Sequence, residues 1–119
     1  MAVQIYSGTL DSSATLSGQI QALPAENKSL GVSILSTYQA TAGTTGVKLL
    51  VGVSIDGGVT YSDYVLIATT APTVSSGSPV SSEVFASLDA YHNATHLQFE
   101  LVNLDATNNA TVTLMFRAA

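Results

Sequence analysis

His92 and His96 stand four residues apart, with Asp89 just upstream. On a helix that spacing puts both imidazoles on one face and makes a metal chelate, whereas on a strand it holds them ~13 Å apart. Tyr91-His92-Asn93-Ala94-Thr95 reads as a turn leading into an extended segment, so both are expected to be ordinary surface or loop histidines. Asp56, Asp63 and Asp105 lie near turns where oxygen ligands for calcium could gather, but none opens the Asp-x-Asp-x-Asp-Gly spacing of a dedicated loop. Serine, histidine and aspartate are all present, yet no Gly-x-Ser-x-Gly elbow presents a nucleophile. With no cysteine there is no thiolate and no sulfur metal site. The expectation is a protein that is not an enzyme, with no catalytic residue, no metal and no cofactor.

One further chemistry is stacking on sugar rings. Tyr38, Tyr61, Tyr64 and Tyr91 are the candidate platforms, in a chain with no tryptophan and 7% aromatic residues. Two or more coplanar tyrosines on one open face would favour carbohydrate, and apolar loop tips set against a neighbour would favour assembly.

The elements that would position these groups follow a period of two. Val32, Ile34, Ser36 and Tyr38 share one face of an extended segment, and Leu49 or Val51, Val53 and Ile55 share a face of the next. Leu97, Phe99 and Leu101 alternate with polar neighbours, as do Val112, Leu114 and Phe116. The Asp- and Asn-rich stretch 103–109 between these last two segments predicts a terminal hairpin. Val3 to Leu10 and Ala14 to Ala22 read as shorter strands around Asp11-Ser12-Ser13, before Pro24 interrupts pairing. Glu83 to Ala90 is a strand or a short helical turn. Between residues 45 and 68, Asp56-Gly57-Gly58 supplies positive φ between β-formers and predicts a hairpin with its tip there. About eight strands and no long helix give an all-β antiparallel sandwich over residues 1–119, with the jelly roll as one arrangement open to it.

Composition narrows the partners. Hydrophobic residues make up 46% of the 119 and charged residues only 9%, so the chain can build a core but must cover itself with hydroxyl, amide and glycine surface. Such an exterior suits a protein whose surface lies against neighbours. Eight acidic residues against three basic ones give a net charge of −5, which repels a nucleic-acid backbone. No basic-then-apolar leader and no run near the ~20 apolar residues of a membrane span is expected to be at work, so neither nucleic acid nor membrane is a predicted partner.

Ser54-x-Asp56-x-Gly58-x-Thr60-Tyr61 resembles the Asp box of sialidases and other β-propellers, with Tyr61 where that box usually has Trp. The resemblance implies a structural turn: the Asp and hydroxyl side chains bond the loop backbone and the aromatic packs beneath. It does not imply sialidase chemistry, which depends on a cluster of arginines where this chain has Arg117 alone. More broadly the chain resembles virion structural proteins of tailed bacteriophages, such as capsid decoration (cement) proteins and minor head or tail components. That resemblance implies a folded block that docks on a capsid or tail lattice and on itself, as a symmetric oligomer with a trimer favoured, made in the host cytoplasm and resident in the virion. A tail or fibre component is the neighbouring reading, and a carbohydrate-binding or adhesin module the alternative.

The Pro/Gly/Ser-rich connection 70–82 is long for a compact domain, and with the N-terminal segment Met1 to Ser7 it is expected to make the contact. The candidate interface residues are Val3, Ile5, Tyr6, Pro72, Val74, Pro79 and Val80. Deleting either segment is expected to lower assembly before folding.

Overall fold

Alternating side chains bury one face of a strand, and a sheet with one apolar face must cover it. Here two such sheets cover each other. The computed structural model describes residues 2–20, 29–38, 46–72, 79–91 and 93–118. Within them run β1 (Ala2–Leu10), β2 (Thr15–Ile20), β3 (Leu30–Tyr38), β4 (Val47–Ser54), β5 (Val65–Thr69), β6 (Val80–Ser87), β7 (His96–Asn103) and β8 (Ala110–Ala118). One four-stranded antiparallel sheet has the order β1-β8-β3-β6 and the other β2-β7-β4-β5. A short 3₁₀ turn, Asp89–Tyr91, follows β6, so the stretch after Glu83 is strand first and helical turn second.

Leu30, Val32, Ile34 and Tyr38 of β3 and Val112, Leu114 and Phe116 of β8 meet Val47, Leu49 and Val51 of β4 and Leu97, Phe99 and Leu101 of β7 in one core. The inner face of β4 ends sooner than its alternation predicts. Val53 is half-buried and Ile55 lies outside the strand, exposed, because Ser54 turns inward to close the loop that follows.

The expected terminal hairpin does not form. β7 sits between β2 and β4 while β8 sits between β1 and β3 in the other sheet, so residues 104–109 cross the sandwich. Each of these strands carries an apolar inner face that either sheet would bury, and the turn at 104–109 is bonded as an arch, with Asp105 N donating to Asn103 Oδ1 and the Thr107 and Asn108 N–H groups donating to Asp105. Indeed, β4 and β5 form the one consecutive pair within a sheet among the described strands, and every other step along the chain changes sheet.

Chain that crosses between sheets carries backbone polar groups past a dry interior, and each needs a partner. Asn103 supplies several. Its Nδ2 donates to the carbonyls of Leu10 (3.1 Å), Asp11 (3.1 Å) and Asn108 (2.9 Å). Its Oδ1 accepts from Tyr38 Oη at 2.7 Å and from Asp105 N at 3.0 Å. Asp105, also buried, accepts from the backbone N–H groups of Thr107 and Asn108 at 2.9 Å each. Burial, and next the charge of Asp105, push the Tyr38 hydroxyl up to about 12. At the same end Ser36 of β3 donates to Thr70 Oγ1 at 2.7 Å, and that oxygen accepts from Val47 N at 2.9 Å, which ties the two sheets together. Gly46 makes room for this, since a Cβ there would collide with the Thr70 carbonyl.

Two substitutions grade the network. Tyr38→Phe removes one bond and is expected to cost ~1 kcal/mol, whereas Asn103→Ala strands several buried groups and should cost ~3 kcal/mol or more in chemical denaturation. A raised phenol pKa stabilises the fold fully below pH ~10 and is lost as pH climbs through ~12, so the parent melting temperature should fall across that window faster than that of Tyr38→Phe. Equal losses from the two variants would show that Asn103 is not the hub.

Candidate functional site

The β4–β5 hairpin closes through a loop that its own side chains hold rigid. Ser54 Oγ, fully buried, donates to Asp56 Oδ1 at 2.7 Å and accepts from Gly58 N at 2.9 Å. Asp56 Oδ1 also accepts from Thr60 N at 3.0 Å, and Oδ2 accepts from Thr60 Oγ1 at 2.5 Å. Gly57 and Gly58 take φ of 78° and 87°, where a side chain is strained. Tyr61 and His96 lie over Gly58, the tyrosine oxygen 3.3 Å from where its Cβ would stand. Thr95 anchors the loop to the start of β7, its hydroxyl accepting from Gly57 N at 3.0 Å and donating to the Ser54 carbonyl at 3.1 Å. Ser54, Asp56, Gly58, Thr60 and Tyr61 are thus brought together in one turn. The Thr60 side-chain bond, then the Thr60 N–H and Ser54, hold the Asp56 carboxyl well below the usual carboxylate range.

Sequence reasoning missed what this turn presents. Ile55 is 77% exposed and Val59 80% exposed, and both flank the bonded residues. Val65 and Leu66 of β5, an edge strand on the same hairpin, are also exposed. The signal was available: Ser54, Asp56 and Thr60 bond one another and the loop backbone, which leaves Ile55 and Val59 without a part in the turn.

The expected interface residues are placed differently. Pro72 and Val80 are buried within the chain itself, and Ile5 and Tyr6 are half-buried against the core. Val3 pairs through its backbone with Phe116, Pro79 is exposed, and Val74 lies outside the described residues. β6 begins at Val80, and Thr70 bridges the sheets, so both ends of the 70–82 segment work inside the fold. Within the N-terminal segment, residues 2–7 belong to β1 and are laddered to β8. Deleting either segment therefore removes core structure, and folding should fail first.

The remaining candidates do not converge. His92 lies outside the described residues, and half-buried His96 faces Thr95 Oγ1 at 3.2 Å. Asp56 and Asp105 lie at opposite ends of the sandwich, since Ser54 pairs with His96 and Val47 with Asn103. Asp63, exposed, follows the box loop. Among the described residues no cluster of three or more His, Asp or Glu could hold a metal ion, and no helix is long and apolar enough to cross a membrane. Tyr38 is wholly buried, and Tyr61, Tyr64 and Tyr91 are half-buried.

The loop geometry is testable in two ways. Gly58→Val forces a β-branched residue to φ near 87° against Tyr61, and is expected to cost ~1–2 kcal/mol or more in thermal melting. A depressed carboxyl pKa stabilises the fold above the unfolded value of ~3.9 and is lost as pH falls below it. Asp56→Asn should therefore melt below the parent at pH 7, with the gap closing under pH ~4, and a gap that stays constant with pH would remove Asp56 from that role.

No protein-family model matches the chain, and no curated protein matches it in sequence. Solved structures do share its fold. The VP2 subviral particle of infectious bursal disease virus superposes with a TM-score of 0.53 at 12% identity, covering 98% of this chain and 31% of that one. The exported protein XepA of PBSX gives 0.51 at 16% identity, over 100% of this chain and 37% of that one. The enzymatically active domain of bacteriophage CBA120 tailspike protein 4 gives 0.52 at 10%, over 95% and 15%. This chain spans about a third of the length of the first two, and what the three have in common with it is a β-sandwich built on the same plan.

Proposed function

We propose that the protein is a non-catalytic structural subunit of a virion, a capsid decoration or cement block that docks on a protein lattice and on copies of itself. The observation that carries this reading is the rigid apolar tip formed by Ile55 and Val59. Exposed aliphatic side chains on a loop already fixed by Ser54, Asp56 and Thr95 lose little freedom on contact, so burying them is nearly all gain. A protein with 9% charged residues also has few surface ions to desolvate when neighbours pack against it. The order β1-β8-β3-β6 against β2-β7-β4-β5 supports reading the sandwich as a jelly roll, an architecture that recurs in viral shells. The likeness in fold to a virus particle and to phage proteins agrees with that reading.

Ile55→Ser combined with Val59→Ser should leave circular dichroism and melting unchanged, because neither side chain belongs to the core. The light-scattering mass of the concentrated protein should rise above the monomer for the parent and stay at the monomer for the double variant. A parent that remains monomeric at millimolar concentration, or a variant that associates equally well, would sink the reading.

A further inference from the structure

The last strand of a sheet offers its outer row of N–H and C=O groups to whatever lies alongside, and folds blunt that row with bulges, short length or charge. Most of the end strands here are blunted. β1 and β5 each carry a register shift, at Gln4/Tyr6 and opposite Leu49/Leu50, and β2 has six residues with Gly18 among them. β6 has no such device: it runs opposite β3 in unbroken register from Val80 to Ser87, with Glu83 as its one charge. Leu88 N donates to the Leu30 carbonyl at 2.8 Å, which continues that ladder. An antiparallel ladder bonds through alternate residues, so the even-numbered residues of β6 turn their main-chain groups to β3, and Ser81, Glu83, Phe85 and Ser87 turn theirs to the edge. The side chains of these four are exposed, and among the described residues no strand pairs beside them.

We infer that β6 is a pairing edge for β6 of a second copy, antiparallel, about a twofold axis through Val84. A lone peptide does not fit. β5, the end strand of the opposite sheet, lies against β6, so a strand added to β6 would overhang the sandwich and hold its inward side chains over water. A second copy brings its own β5 to cover its own β6. The residues also set the register. Continuing the sheet keeps both inner faces on one side, so one residue must lie opposite itself. Centring on Glu83 would set two carboxylates face to face, and centring on Phe85 would carry Ser81 past the end of the other strand. Centring on Val84 joins Ser81 to Ser87 and Glu83 to Phe85 of the other copy through main-chain bonds, and places small Ser82 opposite small Ala86 on the inner face.

This pairing is weak alone and does not rest on the apolar tip. An edge ~27 Å long and ~10 Å thick covers roughly 270 Å², about a third of the ~800 Å² that each partner gives to a stable interface. It therefore leaves free subunits monomeric at equilibrium, and a covalent trap is the measurement that detects it.

The chain has no cysteine, so a single one reports the register. Residues facing each other in a non-hydrogen-bonded pair stand ~4.5 Å apart at Cα, within disulfide reach. With the whole chain in a glutathione redox buffer, Val84→Cys should form a disulfide dimer about tenfold faster than Glu83→Cys or Phe85→Cys, although position 84 is half-buried and the other two are exposed. A mixture of Ser82→Cys and Ala86→Cys should give the heterodimer. In the oxidised Val84→Cys dimer the amides of Ser81, Glu83, Phe85 and Ser87 should gain protection from hydrogen exchange, and reduction should remove it. The same order of rates is expected when Ile55→Ser and Val59→Ser are added, which separates this edge from the tip. Glu83→Cys or Phe85→Cys cross-linking as fast as Val84→Cys, an oxidised dimer without new protection, or trapping lost together with the tip would each overturn the inference.

Discussion

Crossing a dry sandwich with irregular chain is the constraint on which this fold depends, and Asn103 meets it. Most connections change sheet, so at the end of the domain where β1, β3 and β8 meet β4 and β7, several carbonyls and N–H groups pass the mouth of the core. A primary amide has two donors and one strong acceptor on a short stem, and here the donors serve three carbonyls and the acceptor serves a phenol and an N–H. No apolar residue could do this, and a carboxylate would lack the donors.

The opposite end is built on the same chemistry with a different result. Around Ser54 and Asp56 the polar side chains again satisfy loop backbone, but they lie beside and beneath the loop and leave Ile55 and Val59 facing water. One end of the sandwich thus uses polar groups to seal the core and the other uses them to display apolar groups.

Much of the sandwich was legible because each strand obeys a period of two on its own. The inner faces of β3, β7 and β8 could be read from Val32, Leu97 and Val112 onward, and the box loop from Ser54 to Tyr61. Sheet membership was not legible, because an Asp- and Asn-rich loop such as 103–109 can close a hairpin or arch between sheets, and either arrangement buries the apolar faces of both strands. The continuation of the β7 alternation did hold a clue, since counting 97, 99, 101 and 103 sends Asn103 inward. Of the site residues, the turn was visible as a motif. The free edge of β6 was not, because which strand lies last in a sheet follows from pairing and cannot be read from residues 80–87 themselves.

Scarcity of charge connects these features. With three basic residues the chain cannot hold its surface by ion pairs, and hydroxyls do so across strands instead, as in Thr37 with Ser81 at 2.8 Å on the outer face. A hydroxyl can donate or accept by rotating, so such a surface can rebuild its bonds against a copy or against water without leaving a buried ion unpaired. Charged ladders would fix which partner fits by sign, whereas here discrimination must come from shape, as at the narrow apolar tip of Ile55 and Val59. A surface of this kind makes specificity a matter of geometry, and geometry is what the bonded loop and the unbroken ladder of β6 hold in place.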